Sequence, residues 1–514
     1  MTTAVLIFPN TLNDSLWEQP GTKYLLEIPS FFKDSRRNIK PNKLRLVYHR
    51  ATMKLKLQQF PQSKYLSYSD LQGPTDTTKL QEILKNDQIT SLIVPDPTDI
   101  RLYEELQQMG LPIKWIESPL FLRSLNDLLQ YEKFLGDGSA PVENNAIVEM
   151  YTDNNKFAGK QIRHDKWYNY WRKQTGILMD NGQPQGGQYS FDKDNREPLP
   201  QGFELPDMPN PYQSAAEEAV ITQAWNYIEG LFPDHIGGNK LIFPVSTSGW
   251  EKWLEQFLQE RMTNFGTYED ALINLETNPQ YFLFHSGVST GLNSGLLTPQ
   301  KVLDAVLQGN FPLGSTEGFV RQLMGWREYT RWVYLRFSRQ IRTSNFLDNK
   351  RRLNEKWYKG TLGVAPVDDA IKYGIKSGYL HHILRLMIIP NFMNLCDIVP
   401  EDCYRWFMEF SCDAYDWVMI LNTYAMAMFG DTHFTTKPYI TSSNYIIKMS
   451  NKRYQKGDWG DIFDALYTNF LHNKQNKLKE LGGRTSQVLW PYNRLGEEKK
   501  QARLDLAKTY LEKL

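Results

Sequence analysis

Two adjacent histidines, His381 and His382, stand in the apolar run Gly378-Tyr-Leu-His-His-Ile-Leu-Arg-Leu-Met-Ile-Ile-Pro-Asn-Phe392. A histidine with a pKa near neutrality can act as a general acid, although a histidine in so apolar a run is more often a satisfied core residue. On a helix the two side chains point about 100° apart, which keeps them from facing one small metal ion. Cys396, Cys403 and Cys412, the three cysteines, are spaced by seven and nine residues. That spacing fits no zinc or iron–sulfur pattern, and they read as structural thiols of a reducing compartment.

Three further segments carry chemistry. Phe284-His-Ser-Gly-Val-Ser-Thr-Gly-Leu-Asn-Ser-Gly-Leu-Leu297 combines small residues, which admit close backbone approach, with hydroxyls and helix-start amides suited to phosphate; an ordinary helix–helix turn has the same composition. Gly318-Phe-Val-Arg-Gln-Leu-Met-Gly-Trp-Arg-Glu-Tyr-Thr-Arg331 places Gln322, Trp326 and Tyr329 near one helical face with Arg321, Gly325 and Glu328 beside them. Indole and carboxylate on one helix suit an extruded base, and equally a core aromatic stripe with solvated charges. Tyr404-Arg-Trp-Phe-Met-Glu-Phe-Ser-Cys-Asp-Ala-Tyr-Asp-Trp-Val-Met-Ile-Leu-Asn422 and Thr436-Lys-Pro-Tyr-Ile-Thr-Ser-Ser-Asn-Tyr-Ile446 hold Asp and Asn able to anchor the polar edges of a flavin. They also hold the oxidisable Trp406 and Trp417. An amphipathic core helix followed by a turn fits each piece as well.

The elements that must position these groups fall into two kinds. Val5–Phe8, Tyr24–Ile28, Tyr65–Tyr68, Ser91–Val94 and Ile113–Ile116 read as strands, alternating with helical spacing over Lys43–Phe60, Thr77–Lys85 and Ile100–Met109. This predicts a mostly parallel sheet covered by helices, with ligands beyond the strand ends near Pro9–Leu12 and Pro95–Thr98. No GxGxxG or P-loop occurs. Residues 119–213 read as a long connection whose stretch Gly182–Arg196 lacks regular structure. Beyond 214, Glu217–Leu231, Trp250–Thr263, Pro299–Leu307, Gly318–Arg336, Val367–Met387, Glu401–Met426 and Lys500–Leu511 read as helices.

At 514 residues two domains are expected. The division is 1–130 (α/β, Rossmann-like), 131–213 (linker) and 214–514 (all-α). Net charge is +1, which neither demands nor excludes a polyanionic partner. The N-terminus lacks secretory-signal features and no apolar run is long enough to span a bilayer, so a cytoplasmic protein is expected. Aromatics reach 13%, and twelve of the fourteen tryptophans follow residue 160. That suits either a large aromatic core or a π-rich cofactor or base site.

Together and in this order, the segments resemble the photolyase and cryptochrome superfamily. Tyr170-Trp-Arg-Lys-Gln-Thr-Gly-Ile-Leu-Met179 with Gly186-Gly187, the His381-His382 pair, and Thr436–Tyr439 with Ser443–Ile446 are similar to the iron–sulfur bacterial branch of (6-4) photolyases and cryptochromes. The resemblance implies an N-terminal antenna domain, a helical FAD domain, and light-driven electron transfer to a photoproduct in UV-damaged DNA. By position it implies His381 and His382 as catalytic. It implies FAD contacts from Ser286, Ser289, Asn293, Gln322, Arg385, Asp413, Asp416 and, approximately, Asn422. Electrons would pass through Trp406, Trp357 and Tyr358; Phe407 follows Trp406 and is hard to oxidise. Trp326, Glu328, Tyr439, Lys448, Lys452 and Arg453 would meet DNA, and Asn10 and Leu12 a dimethyl-ribityllumazine antenna. The branch's cluster cysteines fall in regions that here read Tyr358–Pro366 and Asn451–Asp461, without cysteine, so no iron–sulfur cluster is expected. A monomer is expected, and a repair-inactive cryptochrome photoreceptor is the alternative.

Overall fold

In the computed structural model, which describes all residues except 1, 137–145, 153–156, 158, 279–280, 436 and 483–486, the N-terminal strands form one parallel sheet. Strands β1 (Thr3–Ile7), β2 (Thr22–Leu26), β3 (Lys64–Leu66), β4 (Ser91–Pro95) and β5 (Ile113–Ile116) lie in the order β3-β2-β1-β4-β5. Central β1 pairs Val5 with Lys23 of β2 on one side and with Ile93 of β4 on the other. Its Ala4–Ile7 run is fully buried, as expected for a parallel strand covered on both faces. Helices Lys43–Gln59, Thr78–Asn86 and Ile100–Gln108 match their expected spans to within about a residue at each end.

The helical unit departs from the sequence reading in three places. The expected helix Val367–Met387 ends at Ser377, where Gly378 takes φ +66° and closes the turn. The expected helix Glu401–Met426 ends at Phe410 and restarts at Asp416. A 23-residue helix, Asp458–Glu480, was not expected. Arg321–Arg327, Leu384–Ile388 and Ile420–Ala427 are π-helical, so in each of them the 3.6-residue facing rule breaks down.

The connection is more ordered than its composition predicts. It contains helices Leu125–Phe134, Ala146–Tyr151 and His164–Thr175. Glu132 receives Trp332 Nε1 at 2.9 Å and pairs with Arg336 at 2.6 Å, while Trp167 stacks on Trp332. Over Gly182–Arg196, as expected, only very short elements occur: one edge of a two-residue hairpin and a single 3₁₀ turn. The stretch is pinned by Phe191 N–H to Glu317 (2.9 Å) and Asn195 to the Gly314 carbonyl (3.1 Å).

Buried polar ties fix the α/β unit against the helices. Arg331 and Asp96, both fully buried, pair at 2.7 Å. Tyr48 bonds Ser294 at 2.8 Å, and the Asn42 amide donates to the carbonyls of Ile375 and Phe410. The two cysteine-free regions Tyr358–Pro366 and Asn451–Asp461 are tied by hydrogen bonds, beside an aromatic cluster. Tyr454 donates to Asp369 (2.9 Å), Tyr510 to the Leu362 carbonyl (2.8 Å), and Phe392 packs against Trp357, Phe463 and Tyr510. The three cysteines are buried, and burial pushes their thiols well above the usual range. Among the described residues no helix is long and apolar enough to cross a membrane.

Candidate active site

Four chain segments converge on one solvent-open cavity of about 280 Å³: His285–Leu292, Phe319–Arg327, Tyr379–Arg385 and Asp413, with Phe265 and Glu269 completing the wall. Two of the three π-helical stretches border it. The wider π turn brings Gln322, Leu323 and Arg327 to the cavity, a placement common for π segments at functional sites.

Asp413 is the polar anchor. Arg385 pairs with it at 2.9 Å, Ser289 donates to it at 2.6 Å, and Ser411 donates to its other oxygen. Burial alone would raise its pKa, but Arg385 and the two hydroxyls outweigh that and hold it below the usual carboxylate value. Arg327 is the second cation. It is partly buried, its donors go to Asn293 Oδ1 (2.5 Å) and the carbonyls of Leu120 and Leu292, and desolvation pushes its pKa down to about 10. Glu269 accepts from Gln322 at 2.9 Å. Burial raises its pKa, with His382 and Arg321 pulling the other way.

Three imidazoles share the cavity. His285 (6% exposed) and His381 (3%) stack at 4.6 Å and 10°. Burial pushes both well below the usual imidazole value, and their mutual neighbours add to the shift. His382, 45% exposed, lies edge-on to His285 at 5.2 Å, with Nε2 3.6 Å from Asp270 Oδ1. His381 precedes the helix that His382 enters. The expected divergence of the pair is therefore overturned: their ligating atoms and that of His285 all lie within 4.8 Å of one another.

Of the residues expected here, the cavity gathers Ser286, Ser289, Gln322, Arg385, Asp413, His381 and His382. Asn293 is a strut instead, donating to the Asp413 carbonyl at 2.8 Å. Asp416 lies outside the cavity, spent on Arg37 (2.7 Å), Arg342 (2.6 Å), Tyr334 (2.9 Å) and Tyr404. Asn422 also lies outside, its amide bonded to the Val418 carbonyl. Trp326 is stacked on His164 at 3.8 Å, and Glu328 is buried, accepting the amides of Leu122 and Arg123. The π turn at Arg321–Arg327 explains this: it leaves Gln322 on the cavity wall but swings Trp326 and Glu328 to the connection. The glycines act differently from expectation too. A Cβ on Gly287 would strike Phe282, and one on Gly291 would strike Trp250, so they admit aromatic rings. Sequence reasoning missed His285, Glu269 and Arg327; His285 and Arg327 sat inside segments already singled out, while Glu269 carried no motif.

The expected relay residues lie outside the cavity, Trp406 reaching toward it through Phe410 and toward Trp357 through a backbone carbonyl. The Arg385 guanidinium is 5.5 Å from the Phe410 ring, which is 4.6 Å from Trp406. Trp406 Nε1 donates to the Trp357 carbonyl at 3.0 Å. Tyr358, the next residue, donates to Glu409 at 2.7 Å and lines a surface groove. Of the expected DNA contacts, Lys448 and Lys452 are exposed and Tyr439 is half-buried. Arg453 spends its donors on the carbonyls of Leu199, Ser450 and Pro200. Thr436 lies outside the described residues. Asn10 and Leu12 sit beyond β1 as expected but are buried, Asn10 bonded to the Pro97 carbonyl and Leu12 to that of Ser294.

The donor set fits a flavin dinucleotide: serine hydroxyls and the partly buried Arg327, without a direct carboxylate, suit phosphates, and Arg385–Asp413 suits a polar ring edge.

Comparison with known proteins shows the family. Residues 142–241 match a family described as deoxyribodipyrimidine photo-lyase-related protein. A (6-4) photolyase of Agrobacterium fabrum is 35% identical over 370 residues, 69% of this chain and 71% of the relative. A bacterial class III photolyase from Agrobacterium tumefaciens superposes with TM-score 0.52 at 16% identity, over 100% of this chain and 98% of its own. A Synechocystis cryptochrome gives 0.51 at 13% identity, over 99% and 98%. The chain belongs to the photolyase and cryptochrome superfamily, with that superfamily's parallel-sheet and helical architecture.

Proposed function

We propose that this chain is a light-dependent (6-4) photolyase that holds FAD and a flipped pyrimidine–pyrimidone photoproduct of UV-damaged DNA in the one cavity. The carrying observation is that the Arg385–Asp413 pair and the His381–His382 pair line the same space. The relative named (6-4) photolyase supports the lesion type. When bound, reduced and illuminated, FAD supplies the electron that opens the photoproduct.

The protein's own groups bind, orient and move protons. Ser286 and Ser289 take phosphate oxygens, with the Arg327 charge beside them, and Asp413, held ionised, orients the flavin with Arg385 and Gln322. His382, at the solvent-open mouth beside Asp270, delivers the proton to the photoproduct. His381, buried and neutral against His285, accepts a hydrogen bond there and fixes its orientation. Trp406, Trp357 and Tyr358 form the route by which electrons reach the cavity. Lys448 and Lys452, with half-buried Tyr439, contact the DNA strand.

Residues 1–130 form the unit for a dimethyl-ribityllumazine antenna, 131–213 the linker and 214–514 the FAD unit, in a cytoplasmic monomer without an iron–sulfur cluster. The test is illumination of the reduced, FAD-loaded protein with single-stranded DNA carrying a (6-4) photoproduct, followed by chromatography. Intact pyrimidines should be recovered only in the light. His382→Ala and His381→Ala should each abolish repair while flavin absorbance persists. Repair that survives both changes overturns the chemistry, and no repair by a flavin-loaded wild type assigns the chain to the photoreceptors.

A further inference from the structure

Three of the chain's eight histidines meet at this cavity, more imidazole than proton delivery to one atom requires. The free ring nitrogens His285 Nε2 and His381 Nδ1 are buried and have no hydrogen-bond partner. A buried polar atom left unpaired is costly, so two such nitrogens beside a third imidazole call for a shared partner.

We propose that His285, His381 and His382 form a binding site for a borderline transition-metal dication, with Zn²⁺ as the representative ion. Neutral imidazole is the ligating form, and three protein nitrogens with one open position make a common zinc arrangement. Hard cations such as Mg²⁺ prefer all-oxygen shells, which these rings do not offer. The ligating atoms lie within 4.8 Å of one another. At Zn–N distances of about 2.0–2.1 Å, tetrahedral nitrogens are spaced by about 3.3 Å, so the rings must close by up to about 1.5 Å. His285 and His381 are the buried, stacked pair, and His382, 45% exposed at the start of the helix, is the ring with room to turn toward them. Asp270, 3.6 Å from His382 Nε2, is placed to hold the ring as carboxylates hold metal-bound histidines, or to fill the fourth position. On the reading of the cavity as a repair site, a bound ion takes the lone pairs that proton delivery uses and blocks repair until it is removed.

The test uses the full-length, FAD-loaded chain without a polyhistidine tag. It is titrated with Co²⁺, whose tetrahedral complexes absorb to the red of flavin, and with Zn²⁺ by calorimetry. One equivalent of each metal should bind. His382→Ala and His285→Gln should each weaken it by at least roughly 10–100-fold, the loss that even outer partners of a site cause, with flavin content unchanged. The half-exposed position of His382 makes its variant safe for folding. Absence of a one-equivalent site, or a site unaltered in both variants, overturns the proposal. Because binding is read without repair, failure of the repair assay leaves this result standing.

Discussion

Arg331 and Asp96 show what one residue pair can hold together. Each is fully buried, and Asp96 also accepts from Thr98 N–H at 2.8 Å and from the Tyr151 hydroxyl. Replacing Arg331 by Met strands a buried carboxylate, which costs about 3–5 kcal/mol. Denaturant unfolding of R331M should show a loss of that size, with flavin affinity falling only as the protein unfolds. Side-chain identity was legible in sequence where local chemistry decided it. Ser289, Arg385 and Asp413 could be named because they stand in segments whose order resembles the superfamily, and their hydroxyl, guanidinium and carboxylate groups are chemically suited to a polar ligand. Trp326 and Glu328 could not be placed, because the direction of their side chains depends on a π turn that their residue types do not encode.

Gly378 governs the element that carries the histidines. Its φ of +66° ends one helix and frees His381 from the next, and a Cβ there would enter the space of Cys412 Sγ. Gly378→Ala should therefore lose about 1–2 kcal/mol from the left-handed backbone plus a steric share. Adding Cys412→Ala should restore the steric share alone, as measured by urea unfolding. Strand positions were legible because buried parallel strands are continuous apolar runs, as in Ala4–Ile7. Helix Leu125–Phe134 was read as connection because its stability is tertiary. Glu132 alone binds Trp332 and Arg336 from a helix some two hundred residues on, and no local pattern announces that.

Across the whole molecule, His49, His285 and His381 are buried and their pKa values are lowered well below 6.5, chiefly by desolvation, with Arg45 beside His49, Arg385 beside His381 and the neighbouring imidazoles adding. The unfolded chain binds protons at these sites from about pH 6.5 downward, whereas the folded chain does not. Stability is therefore full above about pH 6.5 and falls as the pH drops below it. Each group contributes a slope of up to about 1.4 kcal/mol per pH unit. Denaturant midpoints measured from neutral to mildly acidic pH should fall, and His49→Phe should flatten the slope. On the reading of Trp406, Trp357 and Tyr358 as an electron route, their hydrogen bonds carry an asymmetry. Trp406 points its N–H at a carbonyl, which cannot take a proton, while Tyr358 points its hydroxyl at Glu409, a carboxylate whose pKa burial has raised. An electron leaving Tyr358 can therefore hand its proton to Glu409 in the same event, leaving a neutral radical at the surface end. Trp406 can form only a cation. The charge separated along the route would then be erased at its outer end, making the last transfer the one that does not run backward.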